Sequence, residues 1–305
     1  MFNPCCLYIV CGAALWGAIG VFFRALSALG LSPLQIVALR VGSAAVFFCL
    51  YLAITGRAGL LKIAPKDCVY FIGTGILSLI FFNWCYFNAI SASSLAVAAI
   101  LLYTSPVWVM LLAVPLFGER LTPKKLLAIG LTTMGCALVV GLIGESAGRI
   151  SLKAVLLGLG SGLGYALYSI FGKFALAKYP PLTVTAHTFI FASLGALPLS
   201  LAEGWHSAYL LPQTWLYTLG IGVLCCVLPF VLYTRGLSGV EAGLAAVLAT
   251  VEPAVAALLS VLLYHEPLSF DKMLGILLIF AAIVLLSAPA KKQPPQKPSS
   301  LSANT

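Results

Sequence analysis

The chain is 305 residues long, 62% hydrophobic and only 8% charged, with a mean hydropathy of +1.09. So few charges cannot clothe a water-soluble protein of this size, so most of the surface faces lipid. The net charge of +9 then needs no nucleic-acid partner, because basic loops beside anionic lipid account for it.

A membrane-crossing helix needs about 20 mostly apolar residues. Ten such stretches can be marked in chain order, at roughly 5–23, 33–54, 68–89, 95–117, 125–143, 153–175, 182–201, 213–233, 243–264 and 272–288. The predicted fold class is all-α and integral to the membrane, with ten transmembrane helices. The first stretch has no Lys or Arg before it and is too long for the usual core of a signal peptide, so it reads as a retained span. The tail 289–305, rich in Lys, Pro, Ser and Gln, reads as disordered. Nine cysteines lie in or beside apolar stretches without CxxC pairs or matching histidines, so neither a disulfide framework nor a zinc site is predicted, and no cofactor. The run GLGSGLG at 158–164 sits within a span and follows no strand. It reads as close helix packing through Gly158 with Gly162 and Gly160 with Gly164, not as a nucleotide loop.

The chain is written twice. Pro106 and Glu119 return 147 residues later as Pro253 and Glu266, and Leu121, Lys125 and Leu127 fall on Leu268, Lys272 and Leu274. Domains of 5–143 and 152–288, five spans each, follow. Five is odd, so the second copy crosses the membrane in the opposite sense, as a 5+5 inverted repeat. With the N-terminus inside, twelve of the seventeen basic residues fall in inner loops, four in outer loops, and Arg40 within a span. This bias predicts cytoplasmic N- and C-termini in a multi-pass protein of the cell membrane.

The tract from YFNAISASSLAVAAILLYTSPVW to PLFGERLTPKKLLAIGLTTMG, and its partner LYTRGLSGVEAGLAAVLATVEPAVAALLSVLLYHEPLSFDKMLG, resemble the two EamA domains of the drug/metabolite transporter superfamily. The opening LWGAIGVFFRAL and the ALR ending at Arg40 are similar to the first- and second-span signatures of that family. The resemblance implies a ten-helix bundle that moves small organic solutes by alternating access, often outward. Glu252 resembles the Glu-Pro common in EamA domains.

Inverted repeats place a solute between the two halves near mid-membrane, so polar and aromatic residues deep in spans are the candidates. Arg40 is assigned to the inner third of span two, with His187 as its repeat equivalent. Each either contacts substrate or braces helices. Glu252 is a candidate for proton coupling, or a cross-link to Arg40 or a tyrosine. Pro106 and Pro253 each free the carbonyl four residues earlier, at Leu102 and Ala249, which predicts matched kinks. Glu119 and Glu266 sit at helix ends and are read as caps or loop anchors. Trp16, Asn83, Trp84, Tyr103 and Tyr165 complete the substrate-binding set, with Trp16 and Tyr165 near-equivalent in the repeat. Trp205 and Trp215 read as interfacial anchors.

The function predicted is secondary transport of small metabolites such as amino acids, with or without proton coupling. The alternatives are a drug or organic-cation exporter, an uncoupled facilitator and, more remotely, a membrane-embedded enzyme. No Walker loop, HExxH or GxSxG is present. The partners are the lipid bilayer and a small-molecule substrate; oligomeric state has no signal in the sequence.

Overall fold

The computed structural model describes residues 3–140, 151–265 and 268–287, and every regular element among them is a helix. Apart from short 3-10 turns at Ala58–Leu61, Pro65–Asp67 and Ser207–Leu210, these are in chain order α1 (Pro4–Trp16), α2 (Ile19–Ala28), α3 (Pro33–Ile54), α4 (Cys68–Phe71), a π-helical run Ile72–Ile80, α5 (Phe81–Ala92), α6 (Leu95–Leu102), α7 (Ser105–Phe117) and α8 (Pro123–Val139). The second half has α9 (Leu152–Leu176), α10 (Pro181–Ala202), α11 (Pro212–Gly222), a π-helical turn Val223–Val227, α12 (Leu228–Leu237), α13 (Ala242–Ala249), α14 (Val251–Tyr264) and α15 (Phe270–Ser287). The tail 289–305 and Glu266 lie outside the described residues.

Helix starts carry their own caps. Asn3 accepts from Cys5 N at 3.0 Å, Ser94 from Val97 N at 3.2 Å and Thr122 from Lys125 N at 3.3 Å. Ser32 and Gln35 close a reciprocal capping box on α3. At the edge of a bilayer these bonds replace water that the first N–H groups of a helix would otherwise need. Leucines, valines and isoleucines such as Ile54, Leu152 and Leu262 are exposed around the outside, which suits hydrocarbon and not water.

Eight helical segments are long and apolar enough to cross a membrane: Pro4–Ala28, Pro33–Ile54, Pro65–Ala92, Val97–Phe117, Leu152–Leu176, Pro181–Ala202, Pro212–Leu237 and Ala242–Tyr264. The count of ten read from the sequence is thus eight among the described residues. The two left out are α8 and α15, which pack against each other. α8 is 17 residues long with Lys124 and Lys125 in its first turn, and α15 runs to the edge of the described chain.

The two halves break at the same places. α6 and α13 are related by the 147-residue offset at both ends. The next helices end at Phe117 and Tyr264, each followed by a left-handed residue, Gly118 at φ 68° and His265 at φ 54°. Between the paired segments, α6 gives way to α7 at Tyr103–Thr104, and α13 to α14 at Thr250, just ahead of Pro106 and Pro253. The hydroxyls of Thr104 and Thr250 donate to Leu101 O and Val247 O at 2.6 Å each, so the interrupted ladders are partly satisfied locally.

Packing across the halves is also matched. α1 lies on α12, α5 on α9, α3 on α10, and α7 on α13, while α6 and α7 cover α9 as α13 and α14 cover α1. The glycines of α9 separate onto two faces as the sequence predicts. A methyl at Gly162 would fall 2.7 Å from Leu101 O of α6, and one at Gly164 3.0 Å from Phe82 Cα of α5, so only glycine permits these approaches.

Polar clasps join the halves at the ends of the bundle. At the end shared with the N-terminus, Asp67 accepts from Lys178 Nζ at 2.6 Å and Tyr179 OH at 2.8 Å. Nearby, Glu119 Oε1 and Oε2 accept from Ala242 N (2.5 Å) and Gly243 N (3.1 Å), and Lys125 bridges Glu119 and Glu241. Glu119 therefore caps a helix of the opposite half. At the other end Ser32 donates to Glu203, and Arg24 stacks 4.0 Å over the Tyr264 ring.

Candidate functional site

A cavity with an empty volume of about 520 Å³ lies in the middle of the bundle, between the halves. Its wall is largely aromatic: Trp16, Phe82, Tyr165, Tyr168, Phe230 and Tyr233, with Ile19 and Leu79. Trp16 is the hub, with its ring centroid 6.2 Å from Tyr165, 4.9 Å from Phe230 and 5.2 Å from Tyr233. The contacts with Tyr165 and Phe230 are edge-on, an arrangement that aromatic rings favour. Arg40, Ser78, Ser169 and Glu252 supply its polar groups.

Two of these lining residues follow directly from the π-helical segments. A π turn accommodates an extra residue and rotates the helix face that follows. Phe82 lies two residues beyond Ile80, and Phe230 three beyond Val227, and both rings reach the cavity. Ser78 and Leu79 lie within the first π run itself.

Most hydroxyls of the wall are already bonded to protein. Tyr165 donates to Glu252 Oε2 at 3.0 Å, Tyr233 and Ser169 share a bond of 2.8 Å, and Tyr168 and Thr234 one of 2.5 Å. Arg40 donates through Nη2 to Asn83 Oδ1 at 3.4 Å, and Asn83 in turn donates to Leu79 O at 2.6 Å. Three lining side chains keep a buried polar atom without a protein partner: Trp16 Nε1, Arg40 Nε and Ser78 Oγ. Among the described residues Arg40 makes no ion pair; its side chain bonds the Asn83 amide, and Glu252 shares the cavity within reach of its charge.

Of the sequence candidates, the structure brings Trp16, Arg40, Tyr165 and Glu252 together at the cavity and sets Asn83 behind Arg40. Glu252 takes the tyrosine cross-link, not one to Arg40. Two placements need correction. Trp84 is 53% exposed on the outside of the bundle. It follows Asn83 directly, and consecutive helical residues are turned about 100° apart, so both cannot face inward. His187 is buried beside Phe71, rings 4.8 Å apart, with Nδ1 on Thr183 O at 3.0 Å, and does not line the cavity. Tyr103 packs half-buried against the core beside the lining, within electrostatic reach of Tyr165 and Glu252. The depth given to Arg40 was also wrong, since α3 starts at Pro33. Arg40 is two turns from that start, in the outer third on the charge-based orientation.

Sequence reasoning missed Ile19, Ser78, Leu79, Phe82, Ser169 and Phe230, and it noted Tyr168 and Tyr233 among the aromatic residues of their spans without choosing them. Tyr168 and Ser169 lie about one turn after Tyr165 on α9, a periodicity the sequence does contain. Ser78 had no such signal, because the π run that orients it was not readable.

Comparison with known proteins agrees with this architecture. The model of the EamA-like transporter family matches residues 3–141 and 152–288. A transporter of Archaeoglobus fulgidus is 31% identical over 91% of this chain and 94% of its own. The transporter YwfM of Bacillus subtilis is 26% identical, over 94% and 95% respectively. The threonine/homoserine exporter RhtA of Salmonella typhimurium is 28% identical over 72% and 71%. One solved crystal structure superposes with a TM-score of 0.79 at 19% identity, covering 93% of this chain and 96% of the other, which speaks to the fold. With its two halves both matched and its apolar helices arranged around a central cavity, the chain belongs to the EamA-like transporter family, within the drug/metabolite transporter superfamily.

Proposed function

We propose that this transporter exports small amino acids or closely related amphipathic metabolites, working by alternating access between two inverted five-span repeats in the cell membrane. The observation that carries the reading is an aromatic cavity holding one unneutralised guanidinium, Arg40, and one carboxylate, Glu252. A zwitterion complements this pair. Its carboxylate accepts from Arg40 Nε, its ammonium donates to Glu252, and its apolar atoms lie against Trp16 and Tyr165. The export of threonine and homoserine by a relative supports the same class of cargo.

Supporting the inverted repeat are the 147-residue register of helix breaks at Tyr103 and Thr250 and the matched pairings of α1 with α12 and α5 with α9. Two mirror-related packings of similar energy are what alternating access requires. On this view α8 and α15 complete ten spans and both termini are cytoplasmic. Glu252 is the proton-coupling group. It releases Tyr165 and binds the substrate ammonium in one state, and takes a proton in the other.

A second reading is favoured by the aromatic wall. An organic cation would stack on Trp16 and Tyr165 beside Glu252 and leave Arg40 as a brace. The experiment compares uptake into proteoliposomes under an imposed pH gradient with exchange at equal pH, for wild type and Glu252→Gln. Proton-driven accumulation of an amino acid that Glu252→Gln abolishes, while a weakened exchange at equal pH persists through the amide oxygen, supports the reading. Accumulation unaffected by Glu252→Gln sinks the coupling role, and transport of organic cations without amino acids sinks the cargo.

A further inference from the structure

Among the described residues, Arg40 Nε, Ser78 Oγ and Trp16 Nε1 are the lining's fully buried polar atoms without a protein hydrogen bond, in residues 9%, 1% and 6% exposed. The guanidinium and indole nitrogens can only donate, and a serine hydroxyl can donate as readily as accept. A buried donor without an acceptor costs free energy, so this set selects a ligand rich in acceptors.

The three divide into two places. Asn83, which receives Arg40, donates at 2.6 Å to the carbonyl of Leu79, the residue next to Ser78. Arg40 and Ser78 therefore belong to one subsite. Trp16 belongs to another. Its neighbour Gly17 packs so tightly on α14 that a methyl there would fall 2.9 Å from Glu252 O, and its ring touches Tyr165, the donor to Glu252. A carboxylate held by Arg40 and Ser78 leaves the indole N–H to meet something else.

We infer that Trp16 Nε1 reads an acceptor on the substrate's side chain, so that the preferred cargo is a small amino acid carrying a side-chain hydroxyl or carbonyl, with Arg40 and Ser78 holding its carboxylate. This rests on the amino-acid reading above. Sites that hydrogen-bond a substrate group discriminate strongly against isosteres lacking it, whereas apolar walls discriminate weakly.

Threonine and valine are near-isosteric and differ at that one acceptor. The test measures export of each from proteoliposomes preloaded with radiolabelled substrate, for wild type, Trp16→Phe, and a variant with benzothienylalanine at position 16. The last keeps the bicyclic shape and replaces the N–H by sulfur, so it answers the question even if the smaller ring disturbs packing. The expected result is a preference for threonine of roughly tenfold in wild type, collapsing toward one when the N–H is removed. Ser78→Ala lowers transport of both and leaves their ratio in place. Equal handling by wild type, or a ratio unchanged by removing the N–H, overturns the inference and leaves the amino-acid reading standing. In that case the N–H is satisfied by the face of Phe230. Transport of neither amino acid overturns both.

Discussion

Arg40 places a permanent charge in the interior of an apolar bundle and gives it one weak neutral partner, Asn83, at 3.4 Å. A guanidinium used only to brace helices would have its donors spent on carbonyls or carboxylates. Here Nε is idle, which is the mark of a group that waits for a ligand. Arg40→Lys keeps the charge but loses the planar fork, so transport is expected to fall about tenfold or more through KM. Expression and thermal stability of that variant stay close to wild type. Trp84→Phe, on the outer face, leaves KM where it is. Transport kinetics in proteoliposomes check both, and normal transport by Arg40→Lys would return Arg40 to a bracing role. The residue types at this site were legible in the sequence because ionisable groups inside spans are rare enough to name individually. Their direction was not. Trp84 and His187 were chosen by depth and by offset, and a one-residue change in helical phase moved Trp84 to the outside.

Helix ends show how the repeat is used. Glu119 belongs to the first half, yet its carboxylate fills the N-terminus of α13 in the second, where Glu241 makes no capping bond of its own. The carboxylate and Lys125 are both buried, with side chains 7% and 8% exposed. Removing the carboxylate strands two amide donors and leaves the Lys125 ammonium with Glu241 alone. Glu119→Ala is therefore expected to cost about 2 to 4 kcal/mol, and Glu119→Gln less, because an amide oxygen still accepts. Thermal unfolding in detergent measures this, and an unshifted Glu119→Ala would remove the clasp from the account. The sequence pointed to an end-capping task from position alone but could not say that the helix capped was in the other half. The π runs at Ile72–Ile80 and Val223–Val227 were invisible, since they carry no composition of their own.

At the scale of the molecule the internal repeat was the strongest signal. An offset of 147 residues predicted paired helix breaks, and the structure has them at Tyr103 and Thr250. The span count was harder, because apolarity alone ranks α8 with longer neighbours that it does not match in length. If α8 and α15 do cross, both termini lie on the same, cytoplasmic, side. An alkaline phosphatase fused after the C-terminus is then inactive and a green fluorescent protein there is bright, and the reverse outcome would overturn the cytoplasmic placement of the C-terminus. The central claim is that a zwitterion is carried through the cavity between Arg40 and Glu252. Counterflow tests it most directly: proteoliposomes loaded with unlabelled threonine are diluted into trace labelled threonine, with Arg40→Ala as control. The account predicts transient, saturable accumulation of label in wild type and none in Arg40→Ala. No counterflow in wild type, or equal counterflow in the variant, would contradict it.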